Sequence, residues 1–235
     1  MITEALVTVG GKGSRLRKAG LRFPCTKSFI EVLGEPIIFW NLKNFERGGF
    51  RRVVFCADNV EAIDNLKTLI NRMGKTDITF SFFLDDGLGT AGLPFHFRRQ
   101  FSSAFFFITG HSFVSARHFD AMREVAERNT VTVSTYMEQK TARNIRTNSF
   151  GYSSHEDQSL SALCRMVDYP YVVDDTYCER IAANNFNVFS TLREFYHDKA
   201  INFIDSEMPV EIDEPEQFEI NLKAIEASIL ESDLP

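Results

Sequence analysis

The chain has 235 residues, 44% of them hydrophobic, and a net charge of −6, enough length and apolar content to bury one sizeable core. Its acidity excludes the basic footprint that sequence-independent nucleic-acid binding needs, and no apolar run reaches the roughly 18 residues of a membrane-spanning helix. Cys25, Cys56, Cys164 and Cys178 form no CxxC pair, which leaves no zinc or redox motif; Met1–Val9 is too short for a secretory signal, and a cytoplasmic protein is expected.

Ala5–Val9 is an apolar run ending at glycines and predicts a buried strand. Pro36 to Arg47 predicts a helix, opened by Pro36 in its first turn and stopped by Gly48-Gly49. Arg52–Ala57 predicts a second strand. Asn59–Met73 predicts a helix with Ile63, Leu66, Ile70 and Met73 on one face and Gly74 closing it. Ile78, Phe80, Phe82 and Leu84 alternate as in a third strand. A loop over Asp85–Thr90 precedes a helix reaching Gln100. Ala104–Thr109 gives a fourth strand, Ser115–Asn129 a helix and Thr130–Met137 a fifth strand. The alternation argues for an α/β protein, a single-domain Rossmann-like three-layer sandwich with a mostly parallel mixed sheet.

Beyond about residue 140 shorter strands are expected at Phe150–Ser153, Leu160–Met166, Ile181–Val188 and Met208–Ile212, with a short helix at Ser190–His197. A closing helix over Pro215–Leu230 puts Phe218, Leu222, Ile225 and Ile229 on one side. Most of the 23 phenylalanines fall in apolar runs and are assigned to the core. In open sheets of this kind ligands bind outside the carboxyl ends of the strands. That rule selects Gly10–Arg15, Asp58, Asp85–Thr90, Gly110-His111 and Asp213.

The first of these reads Gly10-Gly11-Lys12-Gly13-Ser14-Arg15-Leu16. Glycines let the backbone turn sharply and approach a ligand, and their successive N–H groups attract anions. Arg15 adds a planar fork for phosphate oxygens. The Walker A ending is absent, and Leu16 stands where the dinucleotide fingerprint needs glycine.

A third pattern fits. Gly-Gly-x-Gly-Ser-Arg-Leu, followed by Pro24 and Lys27, resembles the signature of the sugar-phosphate nucleotidylyltransferase family. Phe29–Ile38, Leu88-Gly89-Thr90-Ala91-Gly92, Phe150-Gly151-Tyr152 and Glu211–Glu216 resemble its later segments, in the same order. The resemblance implies transfer of a nucleotide from a nucleoside triphosphate to a phosphorylated small-molecule acceptor, a sugar phosphate or related alcohol or cyclitol phosphate, with release of pyrophosphate. It implies catalytic roles for Arg15, on the leaving phosphates, and Lys27, at the α-phosphate. Nucleotide contacts are expected at Val9, Gly10, Gly11, Gly13, Ser14, Gly89 and Thr90, and acceptor contacts at Gly151, Asp168 and Asn185. The implied cofactor is magnesium, or manganese, held by Asp213 with His111 beside it. On this template residues 1–140 form the nucleotide-binding half, and 141–235 the acceptor-binding half with the C-terminal helix. A homodimer is the default assembly, and neither nucleic acid nor membrane is an expected partner.

Three positions depart from the family pattern. The strand-end Gly-Asp, whose carboxylate serves the metal, is Gly110-His111. Imidazole suits softer metals than magnesium, and His111 can equally hydrogen-bond a neighbouring loop. The Glu-Lys-Pro that meets the acceptor phosphate has its nearest match in Asp168-Tyr169-Pro170. Cys25-Thr26 separates Pro24 from Lys27, which are adjacent in the family. The alternative these departures favour is a nucleotide-binding homologue without turnover, acting as a regulatory subunit.

Overall fold

The computed structural model describes residues 1–85, 87–141, 149–150, 161–205, 212 and 215–232, of which 136–141, 149–150, 161–168, 205 and 232 are described as backbone. Gly151 and Asp213, and the strands expected at Phe150–Ser153 and Met208–Ile212, fall wholly or mostly outside these residues.

Strand β1 (Glu4–Val9) leads through the glycine loop into a one-turn helix α1 (Ser14–Lys18). A small hairpin of β2 (Glu31–Val32) and β3 (Glu35–Pro36) opens helix α2 (Ile37–Arg47). Then follow β4 (Arg52–Ala57), α3 (Val60–Met73), β5 (Thr79–Leu84), α4 (Gly89–Phe97), β6 (Phe105–Thr109) and α5 (Ala116–Val125). The later part adds β7 (Val131–Thr141), β8 (Ser149–Phe150), β9 (Ser161–Val173), α6 (Asp175–Ala183), α7 (Val188–His197), β10 (Ile201–Asp205) and α8 (Phe218–Ser232).

The sheet runs β10-β7-β9-β6-β1-β4-β5, with β8 on β9. β6, β1, β4 and β5 pair in parallel, as do β7 and β10; β9 runs antiparallel between β6 and β7. Alternation along the central strands divides the core. Val7, Val53, Phe55 and Phe106 point to the face covered by α2, α3 and α5, where Phe45, Phe50 and Phe119 pack edge to face. Leu6, Val54, Phe107 and Val133 point to the face covered by α4, α6 and α7. A third cluster joins Leu16 and Phe23 near the glycine loop to Ile225 and Ile229 of α8. The mixed three-layer α/β architecture therefore stands as expected.

Two expectations are corrected. Ile181–Val188 is not a strand: Asp174 caps α6 by accepting from the Tyr177 N–H, and Tyr177, Cys178 and Ile181 share its buried face. Helix α5 ends at Val125 rather than Asn129: Ala126 is already extended at φ −71°, ψ 120°, and farther on Asn129 takes a left-handed φ of 61° with its N–H donating to Asp174.

Candidate active site

A cleft of about 410 Å³ opens at the carboxyl ends of β1, β4, β5 and β6, lined by Thr8, Gly10, Gly11, Lys27, Cys56, Asp58, Asp85, Gly89, Thr90, Leu93, Thr109, His111 and Tyr169. Its floor is a row across three neighbouring strands, since Thr8 is the register partner of both Cys56 and Thr109.

The glycine loop forms one wall. Gly13 sits at φ 57°, ψ 38°, and a Cβ there would stand 2.4 Å from the Phe23 ring and 2.9 Å from Lys27 Cγ. A Cβ on Gly11 would lie 3.5 Å from Lys27 Cε, so the lysine stem runs beneath the loop. The Gly11 N–H donates to Asp58 Oδ2 at 3.0 Å, and Asn59 Nδ2 donates to Asp58 Oδ1. The loop N–H thus already holds an anionic oxygen, the property expected of a phosphate-approaching backbone.

Lys27 lies on a single 3-10 turn, Lys27–Phe29, where Phe29 N–H donates to the Thr26 carbonyl. Its side chain is 8% exposed, and Nζ meets His111 Nε2 at 3.0 Å; His111 is 8% exposed and its Nδ1 is buried. The loop carrying His111 is fixed from both sides. Gly110 N–H donates to the Thr8 carbonyl at 2.7 Å. A Cβ on Gly110 would stand 3.0 Å from that same carbonyl oxygen and 2.9 Å from Ser28 Oγ. From α2, the buried Asn41 donates to the Ser112 carbonyl and accepts from the Val114 N–H, while Asn44 donates to the Val114 carbonyl.

Opposite the glycine loop, Asp85 Oδ1 accepts from Gly87 and Leu88 N–H groups and shapes the turn that delivers Gly89 and Thr90 at the start of α4. Tyr169 closes the far side, stacked on Tyr171 at 4.6 Å and edge-on to Phe107.

Of the residues expected at a site, Gly10, Gly11, Lys27, Gly89, Thr90 and His111 come together in this cleft. Gly13 supports it from behind. Val9 is core, and Ser14 and Arg15 are exposed on α1 beyond its walls. Asp168 is placed as backbone in β9 opposite Ser134, and Asn185 is exposed in the turn after α6, outside the cleft walls. Sequence reasoning missed Thr8, Cys56, Leu93 and Thr109 as walls, and missed the supporting Asn41 and Asn44. Amides spaced i, i+3 on the apolar face of α2 were the available signal.

No family model and no curated protein sequence matches this chain. Its fold is similar to HddC from Yersinia pseudotuberculosis, at 14% identity over 95% of this chain and 99% of that one, TM-score 0.68. It is similar to the inositol-1-phosphate CTP transferase from T. maritima, at 14% identity over 100% and 98%, TM-score 0.70. It is also similar to 4-diphosphocytidyl-2C-methyl-D-erythritol synthase from Anaerococcus prevotii, at 14% identity over 97% and 98%, TM-score 0.63. The chain has the fold of these proteins along nearly its whole length.

Proposed function

We propose that the chain is a nucleotidylyltransferase, joining a phosphorylated small-molecule acceptor to the α-phosphate of a nucleoside triphosphate with release of pyrophosphate. The observation that carries this reading is the glycine loop, with a buried lysine threaded beneath it, facing Gly89-Thr90 across one cleft at the strand ends. The acceptor phosphate attacks the α-phosphorus in line, a P–O bond forms, and the bond to the β-phosphate oxygen breaks. Such a reaction needs positioning and charge stabilisation more than covalent help from the protein. Lys27 takes the charge that builds at the α-phosphate. Arg15, on the exposed face of α1, takes the departing pyrophosphate. In this reading Gly10, Gly11, Gly89 and Thr90 bound the nucleoside, residues 1–140 are the proposed nucleotide half and 141–235 the proposed acceptor half.

The likeness to a protein named as an inositol-1-phosphate CTP transferase supports a cyclitol or small alcohol phosphate as acceptor and a pyrimidine triphosphate as donor. Magnesium, or manganese, is the proposed cofactor and enters with the triphosphate, whose charge it offsets; Asp213 is its proposed carboxylate. His111 as it lies does not fit the ion, because Nε2 faces the Lys27 ammonium and Nδ1 is buried. No helix among the described residues is long and apolar enough to cross a membrane. Cys25, Cys56 and Cys178, which are in no disulfide, support a cytoplasmic location, and a homodimer is the proposed assembly.

Calorimetric titration with ATP, GTP, CTP, UTP and dTTP, in magnesium and then manganese, tests the reading. One triphosphate is expected to bind selectively, and Arg15→Ala to weaken it by roughly tenfold or more, the scale of a charge-assisted contact. Pyrophosphate release with a panel of sugar, cyclitol and alcohol phosphates follows. A protein that binds none of the five fails the proposal. The second reading, a nucleotide-binding homologue without turnover, is favoured by the Lys27–His111 contact and by Tyr169 in place of a lysine. Selective binding with no pyrophosphate release from any acceptor distinguishes it.

A further inference from the structure

The glycine loop is gripped from outside the cleft by the side chain of Arg17. Backbone N–H groups converge on an anion only when the carbonyls between them turn away, and each such carbonyl takes a donor there, from protein or from water. Arg17 supplies two of these donors. Its backbone N–H donates to the Gly13 carbonyl at 2.9 Å, and its Nε donates to the Lys12 carbonyl at 2.9 Å. Arg17 is exposed and lies beyond the cleft walls, so the two carbonyls it holds turn outward.

The same guanidinium reaches the segment that returns towards Lys27. Nη2 donates to the Cys25 carbonyl at 3.4 Å, and the group lies over the Phe23 ring, 4.1 Å from its centroid. Phe23 in turn fills the space that a Cβ on Gly13 would need. One side chain therefore joins the loop, the ring packed against it and the strand of chain two residues before the lysine. Helix α1, which carries Arg17, is a single turn whose N-cap is glycine, too short to hold its own shape. Leu16 anchors it inward at 0% exposure, and Arg17 anchors it outward. A planar fork can donate in two directions while its flat face rests on a ring, which an ammonium cannot do.

We propose that Arg17 is a positioning residue of the triphosphate site. It clips the glycine loop to the Lys27 segment, so that the loop N–H groups and the lysine stem stand in one frame before the ligand arrives. It acts through the loop rather than on a phosphate, and the gain is pre-organisation: a loop already ordered is not ordered at the expense of binding. This inference rests on the reading of the cleft as a triphosphate site.

The test is calorimetric titration of the full chain with inorganic tripolyphosphate and with each of the five nucleoside triphosphates, in excess magnesium and over a range of salt concentrations. Arg17→Met keeps the stem and loses the fork; Arg17→Lys keeps the charge and loses the fork. Both are expected to weaken binding by about tenfold. Both are expected to keep the wild-type dependence of binding on salt, because no charge that meets the ligand has been removed, whereas Arg15→Ala is expected to flatten it. Melting curves establish that each variant is folded at the temperature of titration, and Arg17→Lys carries the test if Arg17→Met is not. Wild-type affinity in either Arg17 variant, or a flattened salt dependence in Arg17→Met, overturns the inference and leaves the triphosphate site standing. A wild-type chain that binds none of these ligands overturns the site itself, and the inference with it.

Discussion

Gly13→Ala perturbs the point where the loop, Phe23 and Lys27 meet. Gly13 holds a left-handed conformation, which costs an L-residue about 1–2 kcal/mol. The added methyl would stand 2.4 Å from Phe23 Cζ and 2.9 Å from Lys27 Cγ, and Phe23 is buried, so the ring must push into its neighbours. Overpacking of this kind costs about 1–3 kcal/mol. The sum, roughly 2–5 kcal/mol, corresponds to a fall in melting temperature of roughly 4–20 °C for a chain of this size. Displacement of the lysine stem also weakens triphosphate binding. Gly10→Ala is the matched control: its Cβ finds only ordinary contact with Asp58, 3.5 Å away, and it needs no left-handed φ. Differential scanning calorimetry of the two variants beside the wild type is the assay. A Gly13→Ala protein that melts with Gly10→Ala and binds triphosphate as well would refute the packing argument and the placing of Lys27 under the loop.

Three further outcomes are expected. Asn41→Ala strips partners from the buried Ser112 carbonyl and Val114 N–H, and should cost roughly 2–4 kcal/mol in chemical denaturation while loosening the His111 loop. Asp58→Asn removes a charge from the mouth of the cleft. At a separation of about 5 Å in a water-like dielectric that charge repels the nearest phosphate charge by about 0.8 kcal/mol, so calorimetry should read about fourfold tighter triphosphate binding; weaker binding would mean the carboxylate accepts from the ligand. Burial holds the His118 imidazole below its ordinary 6.5. The unfolded chain therefore takes up that proton first, and stability, complete above 6.5, falls as the pH drops below it. His118→Gln should flatten that slope in melting curves recorded between about pH 5 and 7.

In the parallel half of the sheet β1, β4 and β6 were legible because each is a short apolar run ending at glycine or aspartate, the pattern of strands covered on both faces, and β5 by its alternation. The length of β9 was not, because Pro170 reads as a break. The pairing of β7 with β9 jumps from Val133–Tyr171 to Ser134–Asp168, so residues 169 and 170 form a bulge, and the proline sits where the ladder asks for no N–H. Helix α6 was hidden because Asp174-Asp175 has the composition of a turn as well as of a cap. At the site, the glycine loop and Gly89-Thr90 announce themselves as local motifs. The Lys27–His111 contact spans 84 positions and follows from no local pattern; it needs both the register of β1 with β6 and the packing of the Lys27 stem beneath the glycine loop.

The packing of Ile225 and Ile229 from α8 against Leu16 and Phe23 has a consequence for how the protein is made. The glycine loop leaves the ribosome well before α8, yet part of the apolar backing of that loop is supplied by α8. At translation speeds of about 5–20 residues per second the loop waits some tens of seconds for that support. A nascent chain has no finished cleft in which to lodge a triphosphate, so ligand capture begins only after synthesis has passed α8.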